Sequence, residues 1–251
     1  MLEAILFDVD GTLADTEKDG HRVAFNMAFA EAGLDWHWDE SLYGELLAVT
    51  GGKERMTHYV KTYHPELWSD EMPNKIAQLQ ARKTHFYTTL LAQGNIPLRS
   101  GIARLIKEAK DQGIRMAIVT TTTPENVTAL LTHTLGAESV SWFELIAAGD
   151  IVPKKKPASD IYDYALAKMN LAANNCIAIE DSFNGIQASS GAKVPTVITV
   201  NEYTKNDDFT GALLVLSELG EPDCAIQCLQ GSCEQGYIDL AVLKGLVTTC
   251  D

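Results

Sequence analysis

Asp8 and Asp10, in the run Leu6-Phe7-Asp8-Val9-Asp10-Gly11-Thr12, follow a short apolar stretch and precede a glycine. Residues i and i+2 of an extended chain share a side, so both carboxylates can lean over one edge of a sheet. One, as an anion, can attack phosphorus, while the other, protonated, hands a proton to the departing oxygen. Gly11 lets the backbone turn sharply, and Thr12 can orient the nucleophile. Turn chemistry alone would also produce Asp10-Gly11, so the pair acquires weight only from what else reaches the same edge.

Three later segments do so. Thr120, Thr121, Thr122 and Thr123 follow the apolar stretch Arg115–Val119 and open a helical pattern. Their hydroxyls and backbone N–H groups can cradle an anion at a helix N-terminus, although threonine is also an ordinary helix cap. Lys156, beside Pro157, can neutralise both a phosphate and an attacking carboxylate, whereas Lys154 and Lys155 are expected to form a solvated basic loop. Glu180 and Asp181 end another apolar run and enter Ser182-Phe183-Asn184-Gly185. With Asp8 and Asp10 they would offer the all-oxygen ligand set that Mg2+ prefers, and Asp181 or Ser182 would also cap the next helix.

Elements that deliver these residues are legible in the periodicity. Apolar runs at 4–7, 115–119, 143–148, 176–179 and 196–200 read as strands, and the segments between the later ones read as helices. That alternation predicts an α/β fold: an open, doubly wound parallel-sheet (Rossmann-like) core whose ligands bind at the C-terminal strand ends. Between residues 16 and 93 only helical patterns occur, with Val23, Met27 and Ala30 expected on the apolar face of the first helix. The expected organisation is a core of residues 1–15 and 94–230, an all-helical cap of residues 16–93, and an unassigned tail of residues 231–251.

Composition narrows the class. The 251 residues are 46% hydrophobic and 22% charged, an ordinary globular balance, and the net charge of −14 disfavours nucleic acid and anionic lipid as partners. No apolar run has the length of a membrane span and no basic leader opens the sequence, so a cytoplasmic enzyme with a small-molecule substrate and no implied protein partner is expected. The five cysteines lack paired C-x-x-C spacing. Free thiols are expected, and a soft-metal role for Cys224, Cys228 and Cys233 is set aside.

The order of acidic pair, threonine, lysine and acidic pair, each at an expected strand end, resembles the haloacid-dehalogenase-like superfamily. The helical insertion resembles the cap of the subgroup containing phosphoglycolate phosphatase and β-phosphoglucomutase. More narrowly, Leu6 to Ala14, Thr50-Gly51-Gly52-Lys53-Glu54-Arg55, Ala147-Ala148-Gly149-Asp150 and Glu180 to Gly185 are similar to the CbbY family. That resemblance implies a Mg2+-dependent phosphatase working through an aspartyl-phosphate on Asp8. Its implied substrate is xylulose-1,5-bisphosphate, an inhibitor of Rubisco, which places the activity beside the Calvin cycle. A sugar phosphomutase, a phosphoglycolate phosphatase and a catalytically silent binding module remain as alternatives.

A bisphosphate has a second phosphate to be held away from the metal. Thr50, Gly51 and Gly52 could offer approachable backbone in the cap, with Lys53 and Arg55 adding charge beside Glu54, and Arg82 and Lys83 adding more from a later helix. Ordinary surface basicity would explain these cations as well. Glu17 and His21, four apart on the first cap helix, share a face and could bind sugar hydroxyls.

Overall fold

The computed structural model describes residues 1–94 and 96–248. Its sheet has the order β3-β2-β1-β4-β5-β6-β7, with strands β1 (Ala4–Phe7), β2 (Arg115–Val119), β3 (Leu145–Ala147), β4 (Cys176–Glu180), β5 (Thr196–Thr199), β6 (Leu214–Leu216) and β7 (Cys228–Gln230). The first six are parallel, and β7 runs antiparallel at the edge. Every residue of β1 is buried because both faces of the sheet are covered, which is why Ala4-Ile5-Leu6-Phe7 is apolar throughout. Alternation sorts the strands into two layers: Ile5, Phe7, Ile118 and Ile179 pack on one face, and Ala4, Leu6, Val119 and Ala178 on the other.

Register sets the site. Phe7 pairs with Ile118 on one side and with Ile179 on the other, so the central strands end level. Asp8, Thr120, Glu180 and Asp181 therefore emerge together at the C-terminal edge, as expected for a doubly wound sheet.

Among the described residues, a π-helical segment (Glu17–His21) and four α-helices lie between β1 and the rest of the core: α1 (Arg22–Glu31), α2 (Glu40–Leu46), α3 (Gly52–Tyr63) and α4 (Met72–Ala92). They close around their own aromatic centre, including Phe25, Phe29, Trp36, Trp38, Tyr43 and Tyr59. Phe25 and Trp38 ring centroids stand 4.7 Å apart. Burying each such ring stabilises by about 1.5–3 kcal/mol. The face of α1 that enters this centre is not the expected one. Phe25 and Phe29 enter it and Ala24 packs on the core layer, while Val23 is half-buried and Met27 and Ala30 are exposed, because the large aromatic rings claim the inward stripe.

The two chain crossings between cap and core lie side by side. Ala14 bridges Leu98, and Arg99 N donates to Leu13 O at 2.8 Å. Beyond them run α5 (Ile102–Asp111), α6 (Pro124–Leu135), α7 (Asp160–Met169), α8 (Phe183–Gly191) and α9 (Leu240–Thr248). The last differs from the unassigned tail: Ile238, Leu240, Leu243 and Val247 are buried in the core layer. Its nearly uninterrupted apolar sequence hides any 3.6-residue period. Strands β6 and β7 were also not expected.

Candidate active site

Asp8 leaves β1 with 7% of its surface exposed, at the mouth of a cleft also lined by Asp10, Thr120, Lys156, Glu180 and Asp181. Lys156 is central. Its Nζ donates to Asp8 Oδ1 at 2.7 Å, to Val119 O at 2.9 Å and to Glu180 Oε1 at 2.5 Å. Burial lowers the proton affinity of the ammonium, but the charges of Asp8 and Glu180 overcome this and raise its pKa. Removing that one cation would strand two buried carboxylates, typically a loss of about 3–5 kcal/mol.

Asp8, Glu180 and Asp181 each offer an oxygen within 4.8 Å of the others. Burial pushes the Asp8 carboxyl up to about 7, with the charges of Glu180 and Asp10 adding to the push and Lys156 opposing it. Asp181 is likewise raised, first by burial and then by Asp8 and Glu180. Three buried carboxylates against one ammonium are a repulsive cluster that a divalent cation would relieve, and Glu180 Oε2 is buried with no hydrogen-bond partner. The donor set is all oxygen and fits a hard cation.

Two glycines make this convergence possible. A Cβ on Gly11, where φ is +85°, would lie 2.3 Å from Asp181 Oδ2, and one on Gly185 would lie 2.0 Å from Glu180 Oε2. Asp181 is held by Asn201 Nδ2 at 2.7 Å and by Thr12 Oγ1 at 3.4 Å. Ser182 caps α8, accepting from Gly185 N at 3.2 Å, so capping falls to Ser182 and leaves Asp181 to face the cleft.

Asp10, expected among the metal ligands, lines the same cleft, but its carboxylate lies outside the group formed by Asp8, Glu180 and Asp181. Thr16 Oγ1 donates to its Oδ1 at 2.6 Å, and His21 Nε2 lies 2.7 Å from the same oxygen. Burial would raise its pKa, but the His21 imidazole, Thr16 and the more distant Lys83 outweigh that and hold it below the usual range. His21 stacks on Tyr87 with centroids 4.0 Å apart and contacts Lys83 Nζ at 2.6 Å through Nδ1. It supports Asp10 and, with Glu17, also lines a smaller cavity on the cap side. Burial pulls the Lys83 ammonium down to about 8 against the opposing charges of Asp10 and Glu17.

Thr120 and Thr121 line the cleft, while Thr123 caps α6 by accepting from Asn126 N at 3.4 Å, and Thr122 accepts from Asn126 Nδ2 at 2.9 Å. The helix-cap reading of this run holds at Thr123, and Thr120 and Thr121 are the threonines placed in the Asp8 cleft. From the cap come Glu17, Thr50 and Arg55. Arg55 Nη1 donates to Tyr43 Oη at 2.9 Å, and Tyr43 in turn donates to Glu17. A second cavity shares Asp10, Glu17, Arg55 and Thr121 with the first and adds Gly51, Gly52, Lys83, Thr122 and Thr123.

Other expected cap cations go elsewhere. Lys53 is paired with Asp150, outside the Asp8 cleft. Arg82 is exposed and grips Glu31 with two hydrogen bonds of 2.5 Å, because one residue along a helix turns the side chain about 100° away from the face that buries Lys83. Glu54 meets Lys155 at 2.9 Å, so Lys155 is a bridging residue and not a solvated one; Lys154 is exposed as expected. Cys176, Cys224, Cys228 and Cys233 are free thiols, and Cys250 lies outside the described residues.

Sequence reading missed Asn201, which follows directly on the expected strand 196–200 and was open to the same strand-end rule. It also missed Thr16, Tyr43 and Tyr162, whose roles depend on tertiary contact. Tyr162 Oη donates to Glu180 Oε1 at 2.5 Å, and burial with the Glu180 charge holds its pKa well above the ordinary value. Among the described residues no helix is long and apolar enough to cross a membrane.

Comparison with known proteins agrees with this geometry. The family of haloacid dehalogenase-like hydrolases matches residues 2–193. Protein CbbY from a plasmid of Cupriavidus necator is 47% identical over 97% of this chain and 96% of its own, and a CBBY-like protein of Arabidopsis thaliana is 41% identical over 87% and 70%. A crystal structure of a CbbY mutant from Rhodobacter sphaeroides in complex with xylulose-(1,5)bisphosphate superposes with a TM-score of 0.82 at 44% identity, covering 89% of this chain and 97% of that one. Structures at lower identity, such as β-phosphoglucomutase from Clostridium difficile at 20% with a TM-score of 0.75, share the fold. By sequence, fold and site together, this chain belongs to the haloacid dehalogenase-like hydrolases and is a phosphatase of the CbbY type.

Proposed function

We propose that this phosphatase hydrolyses xylulose-1,5-bisphosphate to xylulose-5-phosphate and inorganic phosphate, through an aspartyl-phosphate on Asp8. The observation that carries the reading is the pair of adjoining cavities. One is built around Asp8, Lys156 and the acidic triad, and the other brings Arg55 and Lys83 to the cap side. Two phosphates on one small sugar match two such centres. The CbbY relatives and the mutant CbbY complexed with that bisphosphate support the choice of sugar. Removal of a Rubisco inhibitor beside the Calvin cycle is then the metabolic role.

An Asp8 oxygen attacks phosphorus, the bond from phosphorus to the sugar oxygen breaks, and Asp10 passes a proton to that oxygen. Lys156 steadies Asp8 and the incoming phosphate charge. A phosphate dianion beside Asp10 raises its proton affinity, opposing the depression by His21 and Lys83 and favouring the acid form for this step. In the second half, Asp10 as carboxylate takes a proton from water, which attacks the acyl phosphate and frees inorganic phosphate and Asp8. Asp8, Glu180 and Asp181 would hold Mg2+, which supplies charge neutralisation between these carboxylates and the phosphate. Thr120 and Thr121 bind phosphate oxygens, and Arg55 with the Gly51-Gly52 backbone holds the distal phosphate.

A phosphate-release screen over sugar mono- and bisphosphates, with Mg2+ and with EDTA, tests the reading. Highest kcat/KM on xylulose-1,5-bisphosphate, lost in EDTA, is expected. Interconversion of sugar phosphates without release of phosphate would indicate a mutase instead.

A further inference from the structure

Tyr162 serves the site without lining the cleft. It is the third residue of α7, fully buried, with its ring in the apolar layer beside Ala165. Its hydroxyl and the Lys156 ammonium both donate to Glu180 Oε1, each at 2.5 Å, and the ammonium stands 5.5 Å from the Tyr162 ring centroid. The other oxygen, Oε2, is buried beside Gly185 and has no hydrogen-bond partner. One oxygen of Glu180 is thus committed to protein donors, and the other is uncommitted.

An ammonium has three protons to donate. Those of Lys156 already reach Asp8, Val119 and Glu180, so it has none in reserve to fix the Glu180 carboxylate by itself. Without a second donor, the Glu180 carboxylate would turn about its last torsion, which is intrinsically broad. The shared ammonium would then follow it away from Asp8.

We infer that Tyr162 is a positioning residue that locks the rotation of Glu180, leaving Oε2 available to a divalent cation or its bound water and keeping Lys156 on Asp8. The inference rests on the cation-dependent reading above.

Tyr162→Phe keeps the ring and removes only the donor. Titration with Mn2+, followed by the EPR signal of the free ion and with no substrate present, is expected to show affinity weakened by roughly tenfold, the usual worth of a hydrogen bond to a charged group. In Mg2+ turnover, kcat should fall by a similar factor while KM moves less than about twofold. In a Glu180→Asp background, where the carboxylate is withdrawn by one methylene, adding Tyr162→Phe should change nothing further. Unchanged Mn2+ affinity together with unchanged kcat overturns the inference, as does an equal loss in both backgrounds. If far-UV circular dichroism shows Tyr162→Phe unfolded, Glu180→Asp alone decides: it must weaken Mn2+, and unaltered affinity overturns the inference. Wild-type protein that binds no Mn2+ would overturn the cation reading as well, whereas loss of activity on one sugar with Mn2+ binding intact touches only the substrate assignment.

Discussion

Lys155 in the core reaches Glu54 in the cap at 2.9 Å, while the adjacent Lys156 turns inward to Asp8. Asp150 completes a seam of alternating charge, meeting Lys155 at 2.9 Å and pairing with Lys53. Exposed pairs of this kind are worth about 0.2–1 kcal/mol each, so the seam biases cap closure by small factors. Asp150→Asn removes two contacts at once and should raise KM by about two- to fivefold while flattening its dependence on salt. Steady-state kinetics at low and high NaCl check this, and an unchanged KM would mean the seam does not hold the cap.

Arg55 and Lys53 should separate by substrate. Arg55 lines both cavities, whereas Lys53 is paired with Asp150. Arg55→Lys keeps a charge but loses the planar donor fork, so kcat/KM on a bisphosphate should fall more than about tenfold, with monophosphates changing far less. Lys53→Ala should act mildly and equally on both. Parallel kinetics on xylulose-1,5-bisphosphate and a monophosphate measure the difference.

Asp10→Asn leaves Thr16 and His21 a partner of the same shape but removes the proton carrier. Turnover should fall on the order of a hundredfold or more, with metal binding retained because the Asp10 carboxylate stands outside the acidic triad. Mn2+ titration beside a phosphate-release assay reads both at once.

In the metal-free protein, Asp8 holds its proton up to about pH 7, against an unfolded value near 3.9. Between these values the folded state binds more protons than the unfolded state, so stability falls as pH rises from about 4 to 7. Each tenfold difference in proton affinity is worth about 1.4 kcal/mol. Melting temperatures in EDTA should therefore decline across that window, Asp8→Asn should decline less steeply, and Mg2+ should restore wild-type stability at neutral pH. A flat profile in EDTA would mean that burial does not raise Asp8.

The central site was legible because it obeys one rule, chemistry at the C-terminal ends of parallel strands, and short apolar runs mark those ends. Asp8, Thr120, Glu180 and Asp181 meet there as the pattern implied. Lys156 was distinguishable from Lys154 and Lys155 only by its neighbour Pro157, and the outward role of Lys155 depends on Glu54, which is 101 residues away in sequence. Cap assignments fared less evenly, since Arg82 and Lys83 are adjacent cations whose fates depend on helix phase. Tyr162 carries no local signal at all. It acts through Glu180 from the far side, and only packing puts its hydroxyl there.

Acid-quench of wild type and Asp8→Asn during turnover of xylulose-1,5-bisphosphate, radiolabelled at the phosphate on carbon 1, tests the central assignment most directly. With Mg2+, wild-type protein should carry transient label and release it wholly as inorganic phosphate alongside xylulose-5-phosphate, while Asp8→Asn, folded by circular dichroism, should neither take up label nor release phosphate. Phosphate release by Asp8→Asn at a rate near that of wild type, or label returned to sugar in place of water, would contradict a hydrolase working through Asp8.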